Sequence, residues 1–373
     1  MPRVLLSPDK FKGSATAIEV ADALAEGIAT TAPSWDVVRL PVADGGDGTV
    51  DAAVAAGWDR VLVSTTGPTG VPVASSYARR GSTAVVELAS TVGLSQLPGG
   101  APNALGAGTF GLGTVIRHAL GDGAQTVVIG LGGSASTDGG AGMLRGLGVR
   151  ILDARGREIT GGGASLREAA TLDLDAMTTA VTGVSFQLAC DVDNPLLGPS
   201  GATAVYAPQK GADPDELRVL EQAMTRWAEV AGAAHADRPG AGAAGGTAFG
   251  AMAVLGATVR SGIDTVLELL EFRRRLVSAD LVVTGEGSLD EQSLHGKAPV
   301  GVALAARNAG VPVIAVAGRT VLSAGQLREH GIYRSYSLAD LEPDLGTSIR
   351  HATTLLRRVG ATIATSLVPE GVS

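Results

Sequence analysis

A single cysteine, Cys190, stands among 373 residues, so no internal disulfide can form. That scarcity fits a reducing compartment and leaves Cys190 reading as a small buried hydrophobe. Positive charge is also in short supply. The formal net charge is −8, and an acidic surface repels the phosphates of a nucleic-acid partner. The five histidines, His118, His235, His295, His330 and His351, show no metal-ligand spacing with one another or with Cys190, which argues against a zinc site. A P-loop is missing too: Gly296-Lys297-Ala298 lacks the upstream glycine and the following hydroxyl. The uncharged run 239–259 is diluted by six glycines, so a close-packed interior segment is expected there rather than a membrane span. Asp9, Lys10 and Lys12 follow Val4-Leu5-Leu6 too soon for an export signal, and a cytoplasmic globular protein is expected.

Lysine is the last scarcity, and it is informative. Of 29 basic residues only Lys10, Lys12, Lys210 and Lys297 are lysines, and all four lie in turns containing Gly or Pro. Where arginine supplies ordinary positive charge, a compact ammonium kept for turns suggests a phosphate or carboxylate to be met.

What the chain has in abundance is glycine, concentrated in Gly130-Leu131-Gly132-Gly133-Ser134-Ala135-Ser136-Thr137-Asp138-Gly139-Gly140-Ala141-Gly142. The apolar segment 126–129 before it predicts a buried strand, and residues 141–147 after it a helix. A strand, a Gly/Ser/Thr turn and a helix N-terminus aim several N–H groups at one point, so an anion site is expected, with phosphate its commonest occupant.

Elsewhere the pattern changes along the chain. Residues 3–7 predict a strand, and Thr16 with Glu19 marks a capping box opening a helix whose inner face is Ile18, Ala21, Leu24, Ala25 and Ile28. Residues 36–42 predict a second strand, followed by a glycine-bearing loop and a helix over 50–56. From residue 61 come short strands in hairpins, 61–63, 73–78 and 83–88, and a further hairpin-like pair, 149–152 with 157–159. A long amphipathic helix is expected over 213–234 and another helix over 263–277. Strand and helix then alternate again: 280–283, 299–308, 311–316 and 349–367. The fold class is α/β, with a Rossmann-like domain built from both termini (1–64 and 276–373), an inserted α/β domain (65–275) and the active site in the cleft.

The dinucleotide pattern G-x-G-x-x-G occurs at Gly106, Gly108, Gly111 and at Gly240, Gly242, Gly245, but neither match follows a predicted strand. A nicotinamide enzyme thereby loses its main support. What remains are glycine turns carrying carboxylates, hydroxyls and lysines, the kit that phosphoryl transfer needs. Asp9, Asp44, Asp47, Asp138, Asp191, Asp193, Glu286 and Asp290 are the candidate carboxylates, each of which taken singly also reads as a loop cap. A non-catalytic sugar-acid or nucleotide sensor is the competing class.

Seven blocks, taken together, carry a resemblance. They are Ser7-Pro8-Asp9-Lys10-Phe11-Lys12-Gly13-Ser14, Ala43-Asp44-Gly45-Gly46-Asp47-Gly48-Thr49, Gly132-Gly133-Ser134-Ala135 with Asp138-Gly139-Gly140-Ala141-Gly142-Met143, Cys190-Asp191-Val192-Asp193-Asn194-Pro195-Leu196, Pro208-Gln209-Lys210-Gly211-Ala212, Pro239-Gly240-Ala241-Gly242-Ala243-Ala244-Gly245-Gly246, and Thr284-Gly285-Glu286-Gly287-Ser288-Leu289-Asp290-Glu291-Gln292 with Gly296-Lys297. In this order they resemble the type-1 glycerate kinase family over nearly the whole chain. Departures are Lys10 where a serine is expected, Asp47 for a glutamate, and Ser136-Thr137 for Thr-Asn. The resemblance implies ATP-dependent phosphorylation of D-glycerate, usually at the 2-hydroxyl, with Mg²⁺; the 3-hydroxyl or a related hydroxy acid is the alternative. Under that reading Gly132, Gly133, Ser134 and Ser136 cradle phosphates, and Ser7, Lys10 and Lys12 bind the acid. Lys210 and Lys297 offset the charge of the moving phosphoryl group, Asp191 is the general base, and Asp44 and Asp290 hold Mg²⁺. Monomer and homodimer both stay open.

Overall fold

The structure is a computed structural model that describes residues 1–294 and 296–367. His295, one of the five histidines weighed above, lies outside the described residues. The strands are β1 (Arg3–Pro8), β2 (Asp36–Arg39), β3 (Asp59–Thr66), β4 (Pro72–Arg80), β5 (Thr83–Glu87), β6 (Thr126–Gly130), β7 (Arg150–Asp153), β8 (Ala169–Asp173), β9 (Ser185–Ala189), β10 (Thr258–Arg260), β11 (Leu281–Leu289), β12 (Val313–Thr320) and β13 (Arg334–Ser337). They belong to two compact units. One contains Met1–Asp44, Asp51–Gly57 and the described residues from Ile263 on; the other contains Gly45–Val50 and Trp58–Gly262.

The first unit is organised by a five-stranded sheet in the order β13-β12-β11-β1-β2, every pair parallel. Its inner strands β1, β11 and β12 carry continuous apolar runs because both faces are covered there. On one face Val4, Leu6, Leu281, Val283, Ile314 and Val316 pack against the helices Ala17–Thr31 and Ala352–Leu367. The first of these helices opens with the capping box read from the sequence: Glu19 N–H donates to Thr16 Oγ1 at 3.2 Å and Thr16 N–H donates to Glu19 Oε2 at 2.8 Å. Val20, Leu24 and Ile28 line its buried side, and Leu24 and Ile28, fully enclosed, each contribute about 1.5–3 kcal/mol of burial. Ile18, expected on that face, is exposed.

The second unit holds a six-stranded sheet, β10-β9-β6-β5-β4-β3. Its β10, β9, β6 and β5 are parallel, and β5, β4 and β3 are antiparallel as the hairpin spacing predicts. The run 239–259 forms the mostly buried helix Ala243–Leu255, interrupted by left-handed backbone at Ala244, Gly245 and Gly246, and then enters β10; among the described residues no helix is long and apolar enough to cross a membrane.

Two expectations shift. The division at 64/65 moves to Gly57, because β3 pairs along its whole length with β4, and the division at 275/276 moves to Gly262, because Ile263 packs directly on Gly301 of the helix Ala298–Asn308. The expected helix 263–277 is two helices, Gly262–Leu269 and Phe272–Leu276, parted at Glu271, whose φ is +52°. Strand β7 pairs with β8 on one side and forms the expected hairpin-like pair with 157–159 on the other: Leu152 lies opposite Glu158, Asp153 N–H donates to Arg157 O at 2.9 Å and Ile159 N–H donates to Ile151 O at 2.8 Å. Asp153 Oδ1 accepts from Arg155 N–H and Arg157 N–H and so closes the turn between the two segments.

Candidate functional site

In the first unit the chain moves from β1 through a helix to β2 on one side, and from β11 through the helix Ala298–Asn308 to β12 on the other. The winding direction therefore reverses between β1 and β11, and in open α/β sheets the crevice at the carboxyl ends of such a pair is where ligands bind. The loops that leave this edge carry Asp9, Lys10, Lys12, Asp44, Asp290 and Lys297, and Glu286 stands on β11 itself.

Strand alternation decides what faces the crevice. Val4 and Leu6, with their partners Leu281 and Val283, point to the face covered by the two helices named above. Ser7, its partner Thr284, and Glu286 two residues on consequently point to the opposite face. Thr284 Oγ1 donates to Ser7 O at 2.8 Å, and Asp9 N–H donates to Gly285 O at 2.8 Å, which carries the pairing one step past the strand end.

The electrostatics are those of crowded carboxylates. Burial pushes the Asp9 carboxyl up to about 7, the Asp44 and Glu286 carboxylates push the same way, and Lys10, whose N–H donates to Asp9 Oδ1 at 2.6 Å, pulls it back. The Glu286 carboxyl is also raised, chiefly by burial; a hydrogen bond from Ser293 and the charge of Lys297 oppose the rise, and Asp290 and Asp44 add to it. Asp290 has a local task as well, since its Oδ1 accepts from Gln292 N–H at 3.0 Å and Ser293 N–H at 3.3 Å. Lys297 sits at the N-cap of the helix Ala298–Asn308. Among the described residues, Ser7 Oγ and Glu286 Oε1 in this crevice are buried without a hydrogen-bond partner. Lys12 is exposed. The sequence lists Asp9 and Glu286 among its carboxylates but assigns them no role. Their adjacency depends on the pairing of β1 with β11, segments far apart in the chain.

In the second unit the glycine-rich run follows β6 as expected, yet most of it faces inward. The N–H groups at the start of the short helix Ala141–Gly146 already have an anion: Asp138 Oδ2 accepts from Gly142 N–H at 3.1 Å and from Thr109 N–H and Oγ1, each at 2.8 Å, and Asp138 Oδ1 accepts from Gly140 N–H at 3.3 Å. The anion expected there is the protein's own carboxylate. Gly139, with φ +59°, accepts at its carbonyl from Trp227 Nε1 at 2.9 Å, and a Cβ on it would lie 2.3 Å from the Trp227 ring. Ser134 and Ser136 are buried, with their hydroxyls 3.1 Å apart. Gly133 is exposed and Gly132 half-buried, so these two form the open part of the turn.

Lys210 is the largest departure from expectation. Only 2% exposed, it donates from Nζ to Ser136 O, in space left by the missing side chain of Gly245. Burial lowers its pKa to about 7, with Asp138 partly opposing. The geometry makes it a brace for the glycine turn. Asp191 is exposed, and its Oδ1 accepts from Gly262 N–H at 2.7 Å. Among the described residues no three His, Cys, Asp or Glu side chains are grouped closely enough to hold a metal ion by themselves.

The family model described as the glycerate kinase family matches residues 4–368. A glycerate kinase of Bacillus subtilis strain 168 is 42% identical over 372 residues, covering 98% of this chain and 97% of that one. A glycerate 2-kinase of Escherichia coli K12 is 39% identical over 373 residues, covering 98% of each. A crystal structure from Salmonella typhimurium LT2, of a protein assigned as a glycerate kinase 2, superposes with a TM-score of 0.84 at 38% identity over 98% of both chains.

Proposed function

The chain belongs to the glycerate kinase family, and from that premise we propose that it transfers the γ-phosphoryl group of ATP to the 2-hydroxyl of D-glycerate, releasing 2-phosphoglycerate and ADP. The observation that carries this reading is the crevice at the ends of β1 and β11, where Asp9, Asp44, Glu286 and Asp290 gather beside Lys10 and Lys297. The 2-position is supported by the name of the relative from Escherichia coli.

Mg²⁺ suits these residues. The donors are all oxygen; burial chiefly raises Asp9 and Glu286, and the neighbouring carboxylates add a repulsion that a cation relieves. Mg²⁺ commonly takes one or two carboxylates and completes its shell with water and phosphate, so Asp44 and Asp290 suffice without a protein cage. When bound, it neutralises charge on the phosphates. The backbone of Gly132 and Gly133 receives phosphate, while Ser134 and Ser136 shape the turn from within and Lys210 braces it. Lys297 offsets charge on the moving group. Ser7, Lys10 and Lys12 bind the acid, the lysines meeting its carboxylate. Asp191, oriented by Gly262 N–H, takes the acceptor proton. The acidic balance and the single cysteine support a cytoplasmic location.

The test is to mix protein, MgATP and D-glycerate, follow ADP, and identify the product by phosphorus NMR. Glycerate-dependent ADP release with 2-phosphoglycerate as product is expected. A 3-phosphoglycerate product would move the reaction to the other hydroxyl, and no glycerate-dependent ADP would refute the reading.

A further inference from the structure

Ser7 Oγ and Glu286 Oε1 are both buried and, among the described residues, both lack a hydrogen-bond partner. Ser7 is 0% exposed. Such atoms are almost always paired inside proteins, so two orphans on one face of adjacent strands call for a ligand. Their chemistry is complementary to one group in particular. A carboxylate oxygen accepts only, whereas a serine hydroxyl both donates and accepts. A ligand hydroxyl can donate to Glu286 Oε1 and accept from Ser7 Oγ–H at once. A second carboxylate cannot take that place beside Glu286, Asp9 and Asp44, and an apolar group would leave both atoms unsatisfied.

We infer that Glu286 and Ser7 recognise the non-reacting hydroxyl of the acceptor, making Glu286 a specificity-determining residue that separates a dihydroxy acid from a monohydroxy acid. This rests on the reading above, in which one hydroxyl of D-glycerate reacts and the other is free to be held. Register supports the placement: Ser7 pairs with Thr284, so Glu286 is its diagonal neighbour on the same face.

The experiment compares kcat/KM for D-glycerate and D-lactate, which lacks the second hydroxyl, in wild type, Glu286→Ala, Glu286→Gln and Ser7→Ala. A site built to bond a hydroxyl rejects the analogue lacking it strongly, by about 10⁴-fold in favourable cases. Glu286→Ala is expected to shrink the glycerate-to-lactate ratio about 100-fold, through the loss of a charge-assisted hydrogen bond. Glu286→Gln, which keeps shape and an acceptor, retains part of the preference; Ser7→Ala loses about tenfold. KM for MgATP stays at its wild-type value. Using a ratio cancels any loss of folded enzyme, and if Glu286→Ala yields no soluble protein, Glu286→Gln and Ser7→Ala decide the matter. An unchanged ratio in these variants, or a change in the Mg²⁺ dependence in place of the ratio, overturns the inference alone. Wild type that phosphorylates neither acid brings down the kinase reading and this inference with it.

Discussion

Replacing Lys210 with methionine removes one charge from the interior of the second unit while nearly preserving side-chain length. In the folded protein the ammonium titrates at about 7, against 10.5 for an unburied lysine. Between those values the unfolded chain holds a proton at this position that the folded chain has mostly lost. The unfolded state thus binds more protons, and the contribution of Lys210 to stability rises with pH across this window. Below about 7 the folded protein keeps the charged form at full desolvation cost, and above 10.5 the contribution levels off. At about 1.4 kcal/mol per pH unit, the whole span amounts to roughly 5 kcal/mol. The assay is urea unfolding of wild type and Lys210→Met at pH 7, 8 and 9, followed by tryptophan fluorescence, since Trp227 is buried in the same unit. Ser136 O loses its donor in the variant at every pH, a constant offset of about 1–3 kcal/mol. All other ionisable groups are shared, so the difference between the proteins isolates Lys210. Wild type should gain on the variant by about 1 kcal/mol per pH unit. Parallel stability curves, or wild type losing ground as pH rises, would refute the argument that this lysine is buried.

Gly139→Ala should destabilise the protein by more than about 3 kcal/mol, since its Cβ would meet the Trp227 ring at 2.3 Å and φ is +59°; a thermal melt within 2 °C of wild type would contradict this packing. Asp138→Asn turns an acceptor of four hydrogen bonds into a group that presents donors to donors. A loss of about 2–4 kcal/mol with faster amide exchange at Gly140 and Gly142 is expected, and unchanged protection there would show that Asp138 is not the anion of this turn. Asp191→Asn should lower kcat by about 10²–10⁴ while ADP binding, read by calorimetry, stays within twofold; near-normal turnover would remove Asp191 from the base role.

The glycine-rich run shows where sequence reasoning stops. That a strand enters it and a helix leaves it is legible, because both depend on local periodicity. Its occupant is not legible. A helix N-terminus binds an anion whatever the source, and only the folded chain shows that Asp138, three residues upstream of the helix, fills the position. Lys210 teaches the same lesson: a lysine in a turn with Pro208 and Gly211 reads as an ammonium kept for a phosphate or carboxylate, and its burial depends on Gly245 and Ser136, neighbours distant in sequence.

The amino-acid order alone was enough for the α/β class, the two styles of strand pairing, the capping box at Thr16 and the blocks that resemble a kinase family, since these are written in intervals of a few residues. Tertiary structure decided which carboxylates meet. Asp9 and Glu286 become neighbours through the pairing of β1 with β11, and Ser7 turns toward Glu286 because a pleated strand sends alternate side chains to opposite faces. Strand register and burial are properties of the whole chain, and no local window contains them.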